Sequence, residues 1–143
     1  MLHDRLALRT YVRLVRAANS ARAYASRHLG DSGLTLTQFA VLEALYHLGP
    51  MSLSEIAQKV LTTGGNLTLV ASNLEKSGLA TRRKSPSDSR VFILGLTSDG
   101  KNLMHKLFPL HAKAIAQYLA VLNPEEQEEL GSLCRKLGKH QSD

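Results

Sequence analysis

The sequence predicts a mainly α-helical chain with a small β-wing, and three observations carry that prediction. Residues 52–76 hold two short apolar-periodic segments that stop just before Gly78. Residues 80–96 hold two strand-like runs around a polar, basic tip. Long helical patterns without strand character lie at both ends of the chain. Two short helices followed by a charged hairpin are the layout of a winged helix-turn-helix. Such a module places its second helix in the DNA major groove and uses the hairpin as a wing.

Each element has a chemical reason. Residues 2–28 contain no Pro or Gly and are rich in Leu, Ala and Arg, so one long helix is expected. Arg5, Arg9, Arg13 and Arg16 recur at three- and four-residue spacing and form a basic stripe; Leu8, Val12, Val15 and Ala18 form part of an apolar one. The arginines fit a solvated face, or pairing with acidic residues of a partner chain. Residues 29–33 carry Gly30 and Gly33 and break the helix. A second helix is expected from Thr37 to Leu48, burying Phe39, Leu42, Leu45 and Tyr46, and Gly49-Pro50 stops it. Met51 can add a single β-bridge beside the wing.

Ser52 and Glu55 have capping-box spacing, so a helix should start at about Leu53, with Ile56, Ala57 and Val60 on its apolar face. Thr62 or Thr63 can cap the next helix, in which Leu67, Val70, Ala71 and Leu74 face inward. Gly78 sits where a left-handed residue closes a helix, and Leu79 can pack back after it. Residues 80–84 and 91–96 suit strands, and the 85–88 stretch Ser-Pro-Ser-Asp is turn chemistry. Thr97 should cap a helix running towards Leu122 with a kink at Pro109. Asn123, Pro124 and Glu126 mark a final helix start; Leu130, Leu133, Cys134 and Leu137 line one face, and Gly138 and the polar tail end it. Apolar stripes on both outer helices, with little domain of their own to cover, call for a partner.

The candidate DNA-contacting groups lie off the core stripe of the second short helix. They are Asn66, Thr68, Leu69, Ser72, Asn73 and Lys76. Asn, Thr and Ser hydrogen-bond base edges or phosphates, and Leu69 can touch a thymine methyl. Gly64 and Gly65 at the helix start let the backbone approach a phosphate. The same face also fits a solvated helix side after a glycine-rich cap. In the wing, Arg82, Arg83, Lys84 and Arg90 bracket Asp88. A basic run just downstream of a helix-turn-helix pattern stands where phosphate or minor-groove contacts are needed. The alternative is a solvated charged hairpin.

The region resembles the MarR family of bacterial winged-helix regulators. The resemblance rests on Leu36-Thr37-x-Phe39-x-x-Leu42, read as a helix entry, on residues 73–79 (Asn-Leu-Glu-Lys-Ser-Gly-Leu), and on Asp88-x-Arg90 followed by Leu96-Thr97-x-x-Gly100. It is close over residues 34–100 and extends to the flanking helices in pattern only. The family often carries Arg or Lys at the positions of Leu69 and Asn73, which shifts the expected charged contacts to Arg90 and the helix N-terminus. The resemblance implies one MarR-like domain over residues 1–143. Residues 33–100 would form the DNA-binding lobe, and residues 1–30 and 101–143 the helices of a two-fold homodimer. It implies a repressor of a pseudo-palindromic operator on double-stranded DNA, released by a small effector. The 63–68 segment Thr-Gly-Gly-Asn-Leu-Thr is similar to a subset linked to quinone or phenolic stress. Family ligands sit between the dimerisation helices and the lobe, where Tyr11, Tyr24, Phe39 and Tyr46 would border the space; core packing is the other fate open to each.

Composition agrees with this reading. The 143 residues carry a formal net charge of +6 and a sequence pI of about 9.7, which suits a nucleic-acid binder. No apolar run is long enough for a membrane span and no signal peptide is evident, so a cytoplasmic protein without membrane partners is expected. Enzymatic readings find no support. Gly64-Gly65 lacks the Lys-Ser/Thr of a phosphate-binding loop. His3, His28, His47, His105, His111 and His140 show no metal-ligand spacing and are expected at the surface, so neither metal nor cofactor is expected. Cys134 is expected to be buried and inert; the thiol-sensing branch of the family has its reactive Cys near the N-terminus, where this chain has none. The reading from a different class is a winged-helix protein-interaction module without specific DNA binding.

Overall fold

A computed structural model describes residues 1–60 and 66–139. The elements, in chain order, are α1 (Leu2–His28), a 3-10 turn (Gly30–Ser32), α2 (Leu36–Leu48), β1 (Met51–Ser52), α3 (Leu53–Lys59), α4 (Leu67–Lys76), β2 (Ala80–Lys84), β3 (Phe92–Leu96), α5 (Ser98–Leu119) and α6 (Pro124–Lys139). The three strands form one antiparallel sheet in the order β1-β3-β2. Met51 therefore adds more than a bridge: Met51 pairs Leu94 and Ser52 pairs Ile93. The mainly α chain with a small β-wing is the observed architecture.

Local chemistry sets most boundaries. Ser52 Oγ accepts from the Glu55 N–H at 3.2 Å and donates to Glu55 Oε1 at 3.1 Å, so α3 starts at Leu53. Asn123 and Glu126 cap α6 reciprocally, each side chain accepting from the other's backbone N–H. At the end of α4, Gly78 takes φ 74°; its N–H donates to the Glu75 carbonyl and the Leu79 N–H to that of Leu74, both at 3.0 Å. This pair of bonds closes the helix and turns Leu79 back onto the core.

Four boundaries differ from the sequence reading. Helix α2 starts at Leu36 rather than Thr37 because Thr35 and Gln38 form a complete capping box. Helix α4 is capped by Asn66, not by Thr62 or Thr63, which lie outside the described residues with Gly64 and Gly65. Strand β3 starts at Phe92, since Val91 still belongs to the turn through its bond to the Asp88 carbonyl. Helix α5 ends at Leu119 rather than reaching Leu122, and runs through Pro109 as a single helix.

The core joins α2, α3, α4, α5 and the sheet. Phe39, Leu42, Ile56, Leu74, Leu94 and Met104 are all buried. Burying such side chains fully is worth roughly 1.5–3 kcal/mol each. Thr97 stitches the end of β3 to the α4 turn. Its Oγ1 donates to the Gly78 carbonyl at 2.6 Å and its N–H to the Leu79 carbonyl at 3.1 Å. Gly100 is required beside it, since a Cβ there would overlap the Leu79 carbonyl oxygen.

Outside this core the chain is open. Helix α6 has no buried residue, and along α1 only Ala25 is buried. Cys134 is exposed rather than buried. His111 is not a surface residue: its side chain is 16% exposed and packs on Phe39 with ring centroids 4.6 Å apart. No described helix is long and apolar enough to cross a membrane.

Candidate nucleic-acid interface

Helix α4 and the wing bring the expected DNA-contacting residues into two adjacent groups. On α4, Ala71 and Leu74 are buried, which turns Thr68, Leu69 and Lys76 outward; Ser72 and Asn73 are half-buried on its flanks. Leu69 is 57% exposed on the outward face of α4. Asn66 differs from expectation. Its Oδ1 accepts from the Thr68 and Leu69 N–H groups at 3.0 and 3.4 Å, so the side chain's first task is to start the helix.

The wing tip is built around Asp88 and Arg90. The Arg90 N–H donates to Asp88 Oδ1 at 3.0 Å, Nε donates to the same oxygen at 3.1 Å, and Nη2 donates to Oδ2 at 3.3 Å. The carboxylate thus fixes both the turn and the guanidinium. The Arg90 side chain beside it, then the Arg90 backbone N–H, hold the Asp88 carboxyl below its usual range. The Arg90 side chain is nevertheless 89% exposed. It is a planar cation held at its near end and open to solvent, the form suited to a narrow minor groove.

The other wing cations divide by strand alternation. Arg82 pairs Leu94 and Lys84 pairs Phe92, on the sheet face towards α4; Arg83 pairs Ile93 on the opposite face. Arg82 Nε donates to Glu75 Oε1 at 2.6 Å, and its guanidinium lies 5.6 Å from the Phe92 ring centroid. It ties the recognition helix to the wing instead of reaching outward. Lys84 and Arg83 are exposed. The sequence reading missed Glu75 and Phe92, because a pair seven residues apart across a turn has no helical or strand periodicity to reveal it.

A second feature lies between α1, α2 and α5. A cleft of about 270 Å³ is walled by Ala25, Leu36, Phe39 and Ile115, with Arg22, Glu43 and His111 as its ionisable groups. Of the four aromatic residues expected around an effector space, Phe39 lines this cleft and the other three have other places. Tyr11 is 63% exposed on the outer part of α1. Tyr24 packs on Tyr118 with centroids 5.0 Å apart. Tyr46 shares a 2.8 Å hydrogen bond between its hydroxyl and His105 Nδ1. Phenol rings on long helices were the visible signal; the residues that line the cleft come from three separate helices and share no sequence pattern.

Residues 34–92 match the model of the MarR family. The chain is 37% identical to the HTH-type transcriptional regulator MhqR of Bacillus subtilis over 92% of its own length and 90% of that protein. Among solved structures, it is similar to the MarR family transcriptional regulator Sco3205 of Streptomyces coelicolor in complex with DNA (TM-score 0.84, 26% identity, covering 99% of this chain and 92% of that one). It is also similar to Bordetella bronchiseptica BpsR, described with the mechanism by which 6-hydroxynicotinic acid regulates its DNA binding (TM-score 0.79, 29% identity, covering 87% and 89%). These similarities show that the chain is a transcriptional regulator, not an enzyme, and belongs to the MarR family.

Proposed function

We propose that this regulator is a cytoplasmic homodimeric repressor. It reads a pseudo-palindromic operator and is released by a small aromatic effector, of phenolic or quinone-like type, held in the cleft between α1, α2 and α5. The observation that carries the DNA-binding part is the Asp88–Arg90 arrangement: two hydrogen bonds orient a guanidinium that stays exposed at the wing tip, and a third, from the Arg90 backbone N–H, fixes the turn. In this reading Arg90 enters the minor groove. Thr68, Leu69, Ser72, Asn73 and Lys76 face the major groove, and Lys84 and Arg83 add phosphate attraction. Arg82 acts indirectly, by holding wing and helix at one angle.

The dimer is supported by the outer helices. Leu130, Leu133 and Leu137 on α6 are 44%, 57% and 54% exposed, and Leu6 and Leu8 on α1 are 57% and 65% exposed. Apolar faces of this extent on two long helices suit a self-complementary interface, which gives the two-fold symmetry a palindrome requires. The effector part is supported by the cleft's apolar walls and its few ionisable groups.

Operator binding by Arg90→Ala tests the reading. With folded protein at matched salt and excess competitor DNA, affinity should fall by about 1–3 kcal/mol, and Arg90→Lys should recover only part of it. Wild-type affinity in Arg90→Ala, or binding that random DNA abolishes equally, would favour a winged-helix protein-interaction module.

A further inference from the structure

One residue lining the α1–α2–α5 cleft, His111, carries a buried polar atom whose bonding is incomplete. His111 Nδ1 is buried and has no hydrogen-bond partner among the described residues. The other ring nitrogen, Nε2, lies 3.8 Å from Glu43 Oε2. That neighbour favours one tautomer. A proton on Nε2 points towards the carboxylate, whereas a lone pair there would face negative charge. The neutral ring therefore carries its proton on Nε2 and leaves Nδ1 as a lone-pair acceptor. The ring stays neutral because burial lowers the His111 pKa; Glu43 on α2 opposes this shift and His28 on α1 adds to it. Arg22 is the remaining charged group at the cleft.

We infer that His111 is the specificity-determining group of this cleft. Its Nδ1 takes a hydrogen bond from the ligand, so the cleft prefers ring compounds with a free O–H or N–H over the same rings with that hydrogen capped. The inference rests on the effector reading of the cleft. An aromatic ring in the cleft lies beside the imidazole. Nδ1 itself is buried, so the proposal has the imidazole turn about the Cβ–Cγ bond, a broad torsion, to present it. Little is lost by turning, since the 3.8 Å approach to Glu43 is longer than a hydrogen bond. A ligand offering only acceptors would leave Nδ1 unpartnered and set lone pair against lone pair. The cleft thus separates a phenol from its ether more sharply than it separates one ring shape from another.

The test uses the purified 143-residue chain and calorimetry with phenol and with anisole, which differ at the oxygen by one methyl group. Phenol should bind about tenfold more tightly than anisole. His111→Phe should remove the difference while leaving operator binding intact, and His111→Asn, which keeps an acceptor near the Nδ1 position, should restore much of it. Lowering the pH should erase the preference in the wild type as His111 takes a proton and Nδ1 becomes a donor; His111→Asn should keep its preference across the same range. Equal binding of both compounds, with both blocked by Ala25→Trp, would overturn the donor requirement while leaving the cleft as the effector site. Binding of neither compound would overturn this inference together with the aromatic-effector reading.

Discussion

The lobe formed by α2, α3, α4 and the sheet and the outer helices α1 and α6 solve opposite problems with similar sequences. Both have apolar residues at helical spacing. In the lobe these positions are filled by their own chain: Leu42, Ile56 and Leu74 are each 0% exposed. On α6 the equivalent stripe is left open, with Leu133 57% exposed. The reason is geometric. The lobe's elements are short and joined by tight turns, so each apolar face finds another within the same chain. Helix α6, 16 residues long, follows α5 and buries none of its residues against the described part of the chain. Amphipathic periodicity reports that a face must be covered; it does not report by what.

Substitutions can break this contrast in order of size. Leu74→Ala should have the largest effect on the fold. It leaves a cavity under the recognition helix and should cost about 2–5 kcal/mol, read as a lower denaturation midpoint with an unchanged slope. Leu133→Asp should act on the other region. It should leave the lobe folded, shift light scattering from dimer to monomer and weaken operator binding. If the wild type is itself monomeric at micromolar concentration, the outer stripes have some other cover. Gly100→Ala probes the seam between α5 and the turn after α4, where a Cβ overlaps the Leu79 carbonyl oxygen. It should cost about 1–3 kcal/mol, because the neighbour is backbone and yields poorly.

The smallest expected effect is a pH slope. His111 has a folded pKa below its ordinary 6.5, mainly through burial. As pH falls below 6.5 the unfolded chain takes this proton before the folded one does, so stability present at neutral pH declines with acidification. Thermal unfolding followed from pH 7.5 downwards should show this loss in the wild type and a shallower slope in His111→Phe. The variant should also melt slightly higher, since the unpartnered nitrogen is removed. An unchanged slope would place the titration elsewhere.

Much of the local structure was legible before any coordinates. The ends of α1, the glycine closure at Gly78 and the Asp88–Arg90 wing tip all depend on contacts within a few residues, and short-range chemistry is written in short-range sequence. The Asn66 cap was misassigned for a related reason. Thr62, Thr63 and Asn66 are all competent caps, and which one starts the helix depends on where α4 must begin to seat Leu67 and Leu74 in the core.

The sequence by itself determined the order and kind of the elements, the basic wing and the apolar stripes that each had to be covered. Only the tertiary structure decided that Arg82 is held by Glu75 and Phe92 while Arg90, paired with Asp88, stays exposed. It also decided that Tyr46 turns to His105, and that His111 sits beside Phe39 and Glu43 in a cleft made by three helices. These pairings join residues far apart in the chain. Their partners are chosen by how helices cross, a consequence of packing the whole apolar surface at once that no local spacing encodes.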